Sequence, residues 1–246
     1  MINEQKVLGI IPARGGSKTL PRKNIKLLDG KPLIAWTIEE AQKSRYIDRL
    51  IISSEDPEII RITKEWGGEV PFIRPKELAE DETPGIDPVI HALNKIGENF
   101  EYVVLLQPTS PLRTVADIDN CIRSCVEQNA PVCVSVSLAD ESPYWMYTLN
   151  TQQKMQALLP LIKLIDRRQN LPPVYTLNGA VYVAKSKYLL EVKSFITEDT
   201  VAYIMPAERS WDIDNEMDFR VCELIKGTLN KKTIGRHPIV PPPRRN

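Results

Sequence analysis

The chain has 246 residues, 42% of them hydrophobic and 26% charged, a globular composition that is long enough for one large α/β domain with an insertion. Lysine plus arginine and aspartate plus glutamate both number 32, so no global field draws the molecule to nucleic acid or anionic lipid, and any anion site must be local. The amino terminus has no signal-peptide apolar region and no stretch approaches the ~18 apolar residues of a membrane span, which points to a soluble, cytoplasmic protein with neither nucleic acid nor membrane as partner.

Residues 7–11 form a Val/Ile/Leu run that reads as a buried strand, and Pro12, with no N–H for a ladder, should end it. The loop that follows holds Arg14, Gly15, Gly16, Ser17, Lys18, Arg22, Lys23 and Asn24. Glycines let backbone N–H groups approach phosphate oxygens with no Cβ in the way, and the four basic side chains can give charge-assisted hydrogen bonds to one anion. In open α/β sheets the strand's carboxyl end is where ligands bind, so this loop is a candidate polyphosphate site. Gly-Gly-Ser-Lys is followed by Thr-Leu-Pro rather than fitting the Walker spacing, and no Gly-x-Gly-x-x-Gly occurs. Both facts count against a P-loop kinase or a dinucleotide-binding oxidoreductase.

Lys31-Pro32-Leu33 opens a helix, residues 49–53 read as a strand, and residues 58–66 as a helix closed by Gly67-Gly68. A short strand at 70–73, a helix through 89–96, an apolar strand at 102–106, a helix at 115–126 and a strand at 132–136 complete the βα rhythm. This alternation predicts a three-layer, Rossmann-like α/β fold, a mostly parallel sheet with helices on both faces. Between 137 and 173 prolines, aromatics and polar residues replace the rhythm, and Tyr144-Trp145-Met146-Tyr147 leads to a turn near Asn150. Residues 138–175 are therefore an inserted arm. The sheet resumes at 178–183, another strand follows at 201–205, and a last helix at 217–225. Residues 1–230 make one domain and 231–246 a Pro-rich basic tail. Cys121, Cys125, Cys133 and Cys222 fit no zinc spacing and read as packing cysteines. His91 and His237 lack triad company and carry no assigned role.

Further along the chain, more segments carry chemistry. Arg74 and Thr83 flank a polar stretch whose guanidinium and hydroxyl suit a base edge, or simply a surface turn. Gln107 stands at a strand exit, where an amide can serve a sugar hydroxyl or base, although the Pro and Thr/Ser beside it also suit a helix cap. Arg167-Arg168 precedes Asn178-Gly179; a guanidinium there can hold a carboxylate bidentately or lie on a solvated arm. Asp212 and Asp214, at i and i+2, point to one side of an extended segment. The pair suits magnesium with substrate phosphates better than an all-protein cage, and Asp214 can also cap the next helix.

The segment 13–24, with its Ala-Arg-x-x-Ser-Lys-x-Leu-Pro-x-Lys-Asn spacing, resembles the amino-terminal signature of the acylneuraminate cytidylyltransferase (CMP-sialic acid synthetase) family. Leu106-Gln107-Pro108-Thr109-Ser110-Pro111-Leu112-Arg113 matches that family's second motif, residues 74–83 are similar to its base-recognition stretch, and Asp212-x-Asp214 to its metal ligands. The chain departs from it at Gly85, where Ser or Thr is common. The resemblance implies a nucleotide-diphospho-sugar transferase fold and an enzyme coupling CTP to a nonulosonic, nine-carbon acid sugar, giving CMP-sugar and pyrophosphate with Mg2+ as cofactor. By the same resemblance Arg14, Gly15, Gly16, Ser17, Lys18 and Lys23 grip the phosphates, while Asn24, Arg74 and Thr83 address the nucleoside. Gln107, Arg168, Asn178 and Gly179 face the sugar, and Asp212 and Asp214 hold magnesium. The catalytic set is then Arg14, Lys18, Lys23, Asp212 and Asp214, and the arm reaches across a homodimer or a dimer of dimers. A Kdo or other sugar nucleotidyltransferase, a glycosyltransferase using Asp-x-Asp, and a non-enzymatic CTP sensor stay open as alternatives.

Overall fold

The structure, a computed structural model, describes residues 1–159 and 171–234. In chain order come β1 (Val7–Pro12), the ribbon strands β2 (Leu27–Leu28) and β3 (Lys31–Pro32), α1 (Leu33–Gln42), β4 (Arg49–Ser53), α2 (Pro57–Glu65), α3 (Asp87–Ile96) and β5 (Tyr102–Leu106). The second half gives α4 (Val115–Glu127), β6 (Val132–Leu138), the hairpin strands β7 (Tyr147–Leu149) and β8 (Met155–Ala157), β9 (Tyr175–Lys185), α5 (Ser186–Val192), β10 (Thr200–Ile204) and α6 (Glu216–Ile234).

Six strands form the central sheet in the order β10-β6-β9-β5-β1-β4. β1 pairs parallel with β4 and β5, β6 parallel with β10, and β9 runs antiparallel to both β5 and β6. Strand periodicity sends alternate residues to opposite layers. Val7 and Ile11 of β1 with Val104 and Leu106 of β5 pack on Ile34 and Ile38 of α1 and Ile118 and Ile122 of α4. Leu8 and Ile10 with Val103 and Leu105 pack on Val89 of α3 and Leu189 of α5. Burial on both faces is why these strands read as unbroken apolar runs.

A third, smaller core decides where the site forms. Leu20 from the loop after β1, Leu112 from the loop after β5, Ile213 between the two aspartates, and Phe219 and Cys222 of α6 pack with Leu28 and Leu33. Segments nearly the whole chain apart are thereby pinned at one sheet edge. Since β4 and β5 lie on opposite sides of β1, the order of strand addition reverses there, and the crevice outside those carboxyl ends is the ligand position of such sheets.

Two elements depart from the sequence reading. Residues 70–73 do not form a strand; the bridge from Ile51 of β4 goes to Glu69, just before them. Pro71 cannot donate to a ladder and Ile73 is exposed, so the stretch has neither the hydrogen bonds nor the burial of a strand. The last helix runs to Ile234 rather than stopping near residue 225. Lys226 of α6 stacks over the Trp36 ring of α1 at 3.9 Å, and burial pushes its ammonium down to about 8. The helix α5 went unread, its seven residues being short of a clear period. The four cysteines are buried and unpaired. No helix among the described residues is long and apolar enough to cross a membrane.

Asp117 of α4 is fully buried and takes a bidentate bond from Arg209, with both distances 2.9 Å, while its carboxylate also closes a capping box with Thr114. Burial pushes its carboxyl up, but the Arg209 and Thr114 bonds outweigh that and hold it below the usual carboxylate value. The pair ties the segment leading to Asp212 onto α4. A carboxyl lowered by folding contributes stability that is present above its ordinary titration range and lost as pH falls through the lowered value. Arg209→Met is therefore expected to lower unfolding free energy by about 2 kcal/mol at neutral pH, and the gap between variant and wild type should close below about pH 4. Urea melts across that range measure it; a gap that widens on acidification would contradict the assignment.

Candidate active site

A cleft of about 670 Å³ opens at the carboxyl edge of β1 and β5. Arg14, Ser17, Lys18, Lys23 and Asn24 line one wall, Arg74, Thr83 and Gly85 a second, and Gln107, Thr109 and Asp214 the floor. Tyr182 and residues 193–196 complete the far side.

The basic loop is held from beneath. Asn24, 6% exposed, donates through Nδ2 to the Arg14 carbonyl at 2.9 Å, which folds the loop back on itself. The Gly15 N–H donates to Glu55 Oε1 at 2.7 Å, and a Cβ on Gly15 would stand 2.4 Å from Asp56 Oδ2. Glycine is required at 15 for close packing, then, and its N–H is already engaged. Gly16 faces open space. Arg22 corrects the reading that four cations share one anion. It adopts a left-handed φ of 59° and turns to Asp56 at 2.6 Å and to Glu58, leaving Arg14, Lys18 and Lys23 on the cleft.

On the second wall Arg74 is 3% exposed and donates through Nη2 to Glu55 Oε2 at 2.5 Å. Glu55 thus bridges the basic loop and Arg74. The Arg74 Nε is buried without a partner, a donor left for an incoming group. The Thr83 hydroxyl donates to the Glu77 carbonyl at 2.8 Å, closing its own turn.

Residues 23 and 214 meet. Lys23 Nζ donates to the Ile213 carbonyl at 2.7 Å and lies 3.6 Å from Asp214 Oδ1, and Thr19 Oγ1 donates to the Asp214 carbonyl at 2.5 Å. Asp212 is largely buried and its Oδ1 has no hydrogen-bond partner. Burial raises its carboxyl, as do Asp214 and Asp218, while the Thr109 side chain and Lys23 oppose the rise. A buried, half-satisfied carboxylate beside an exposed one is a poor structural arrangement and a good one for a hard divalent cation. Among the described residues no cluster of three or more His, Cys, Asp or Glu is placed to hold a metal; an ion held by the pair would complete its shell from water or a bound substrate.

Gln107 and Gly179 touch. Gly179 has φ +68°, and a Cβ there would sit 2.8 Å from Gln107 Oε1. Gly179→Ala is expected to lose about 1–3 kcal/mol through left-handed strain and to displace the Gln107 amide; an unchanged urea midpoint would refute this. Asn178 does not line the cleft. Its Oδ1 accepts from the Ser135 hydroxyl at 2.6 Å and from the Ala180 N–H at 3.1 Å, and its Nδ2 donates to Ser210 at 3.0 Å. The amide is spent inside the protein and sets the backbone at Gly179. Arg168 lies outside the described residues.

Sequence reasoning missed Glu55, Arg113 and the wall at 193–196. Glu55 sits two residues past β4 at the same sheet edge as the other loops, a signal that was there to read. Arg113 ended a recognised motif yet turns inward, fully buried. Residues 193–196 follow the unread α5 and gave no sign.

The family model for cytidylyltransferases matches residues 8–170. The CMP-N,N'-diacetyllegionaminic acid synthase of Legionella pneumophila is 36% identical over 233 residues, covering 93% of this chain and 99% of that protein. The N-acylneuraminate cytidylyltransferase of Escherichia coli O18:K1:H7 is 32% identical over 241 residues, covering 93% of this chain and 54% of that protein, so the chain spans about half its length. Among solved structures, a CMP:2-keto-3-deoxy-manno-octonic acid synthetase complexed with CTP superposes with a TM-score of 0.70 over 91% of this chain and 99% of that one, at 17% identity.

Proposed function

Because the chain belongs to the cytidylyltransferase family, we propose that it couples CTP to a nonulosonic acid, a nine-carbon 2-keto acid sugar, releasing pyrophosphate and a CMP-sugar. The observation that carries this reading is the meeting of Lys23 with Asp214 beside the half-satisfied Asp212. It brings the cationic loop against Asp214 in one cleft, with Asp212 two residues away. The names of the Legionella and E. coli relatives supply the sugar class.

In this reading the anomeric hydroxyl attacks the α-phosphorus of CTP in line, the bond to the β-phosphate oxygen breaks, and pyrophosphate leaves. Arg14, Ser17, Lys18 and Lys23 hold the phosphates and offset the charge that spreads over them. Asn24 shapes the loop, and Arg74, through its free Nε, faces the cytosine with Thr83. Gln107 and the backbone at Gly179 hold the sugar ring, and Arg168 of the arm pairs with the sugar carboxylate. Asp212 and Asp214 fit magnesium, which when bound supplies Lewis-acid charge neutralisation at the phosphates. Because the attacking oxygen and the phosphorus are held together, most of the acceleration comes from positioning.

The enzyme acts as a homodimer or dimer of dimers in the cytoplasm, where CTP is made. What supports the dimer is the arm, whose Tyr147, Leu149, Met155 and Tyr175 are all exposed; apolar side chains exposed on such an insertion favour a partner surface.

The test is pyrophosphate release from CTP and magnesium with a panel of nonulosonic acids. Release that requires both CTP and one such acid is expected. Release only with an eight-carbon acid or a polyol phosphate would move the enzyme to another branch, and release from ATP or GTP but not CTP would overturn the base assignment.

A further inference from the structure

Two of the cations that face the cleft already hold an anion. Asp81 accepts from Arg14 Nη1 at 2.9 Å through one carboxylate oxygen and from Lys18 Nζ at 2.6 Å through the other. The same guanidinium nitrogen donates to the Glu80 carbonyl at 3.2 Å. Two oxygens on one carbon, each taking a cation, present the pattern of two oxygens on one phosphorus. Asp81, Arg14 and Lys18 all line the cleft. The turn that carries Asp81 is closed by its own bonds, Thr83 N–H to the Glu80 carbonyl at 3.3 Å and Thr83 hydroxyl to the Glu77 carbonyl at 2.8 Å. The carboxylate is thus presented by the base-side wall to the phosphate-side loop.

Resting on the reading that Arg14 and Lys18 hold the triphosphate, we propose that Asp81 is an internal competitor for that anion site, a residue that the nucleotide must displace and that thereby sets its affinity. The pairing is built to give way. The Lys18 side chain is 81% exposed and that of Asp81 40%, and exposed ion pairs are weak and screened by salt. The hydrogen bond and charge of Lys18, then the charge of Arg14, hold the Asp81 carboxyl below its usual value. A triphosphate brings several charges against this one carboxylate and displaces it, at a cost in affinity common to every anion that takes the site. Once pyrophosphate has left, Asp81 closes again on Arg14 and Lys18.

Asp81→Asn keeps the shape and removes the charge. Its KM for CTP is expected to fall about threefold to tenfold, and its dissociation constant for inorganic tripolyphosphate, by titration calorimetry, to fall in step. Asp81→Glu, which keeps the charge, should stay close to wild type. General damage to the site would weaken binding, so a gain cannot come from misfolding. An unchanged or raised KM in Asp81→Asn overturns the proposal. Arg14→Ala and Lys18→Ala separate the two readings. If they weaken tripolyphosphate binding while Asp81→Asn brings no gain, the competitor alone is refuted; if neither weakens it, the phosphate-loop reading fails and takes the competitor with it.

Discussion

Asp212→Asn is expected to cut kcat by about a thousandfold while leaving the melting temperature unchanged or raised. Asparagine keeps the volume and can still pair with the Thr109 side chain. It removes a charge that burial disfavours and that Asp214 and Asp218 further destabilise. Stability should then improve at the position where activity is lost, the pattern of a site residue whose charge is kept for chemistry rather than for folding. Pyrophosphate release at saturating CTP and magnesium, with a thermal melt on the same preparation, measures both halves. Turnover within threefold of wild type would remove Asp212 from the mechanism, and a large drop in melting temperature would make it a structural residue.

The second large effect concerns stability. Arg113 is 1% exposed; its Nη1 donates to the Ala180 carbonyl at 2.6 Å and the Gln107 carbonyl at 3.1 Å, and its Nη2 to the Thr37 hydroxyl at 2.7 Å. Burial pushes the guanidinium down to about 10, with Asp117, Glu40 and Asp212 supporting its charge, so it is protonated at neutral pH. One side chain thus satisfies α1, the exit of β5 and the kink of β9, the last two carrying Gln107 and Gly179. Arg113→Met is expected to cost about 4 kcal/mol, since buried carbonyls lose a charged donor and keep no other from that side chain. Arg113→Lys should recover little, because an ammonium cannot reach acceptors laid out for a planar fork. Urea unfolding of the two variants tests this; a methionine variant within 1 kcal/mol of wild type would show that the acceptors find other donors.

Much of the fold was legible because its strands are buried on both faces. Residues 49–53 and 102–106 form strands at the expected bounds, as apolar runs flanked by polar turns require. The stretch at 70–73 had the same apolar look and failed, because Pro71 breaks a ladder that composition alone does not test. The placement of the candidate site was legible where basic residues follow a buried strand. Arg14, Lys18 and Lys23 line the cleft, and Asp212 keeps an unpartnered oxygen. It was illegible where a polar group is consumed inside the protein: Arg22 by Asp56 and Glu58, Asn178 by Ser135 and Ser210. Sequence shows that a side chain can bond, and only packing shows to what. Glu55 illustrates the converse, an unremarked acid that proves to tie the Gly15 N–H to Arg74.

The central claim is that the cationic loop and the two aspartates act together on one magnesium triphosphate. Titration calorimetry of CTP, with magnesium and then with a chelator, on wild type, Lys23→Ala and Asp212→Asn tests it most directly. Tight binding is expected only for wild type with magnesium, weakening at least about tenfold on chelation or with either substitution. Equal CTP affinity in all of these conditions would mean that loop and aspartates meet in the fold without sharing a ligand.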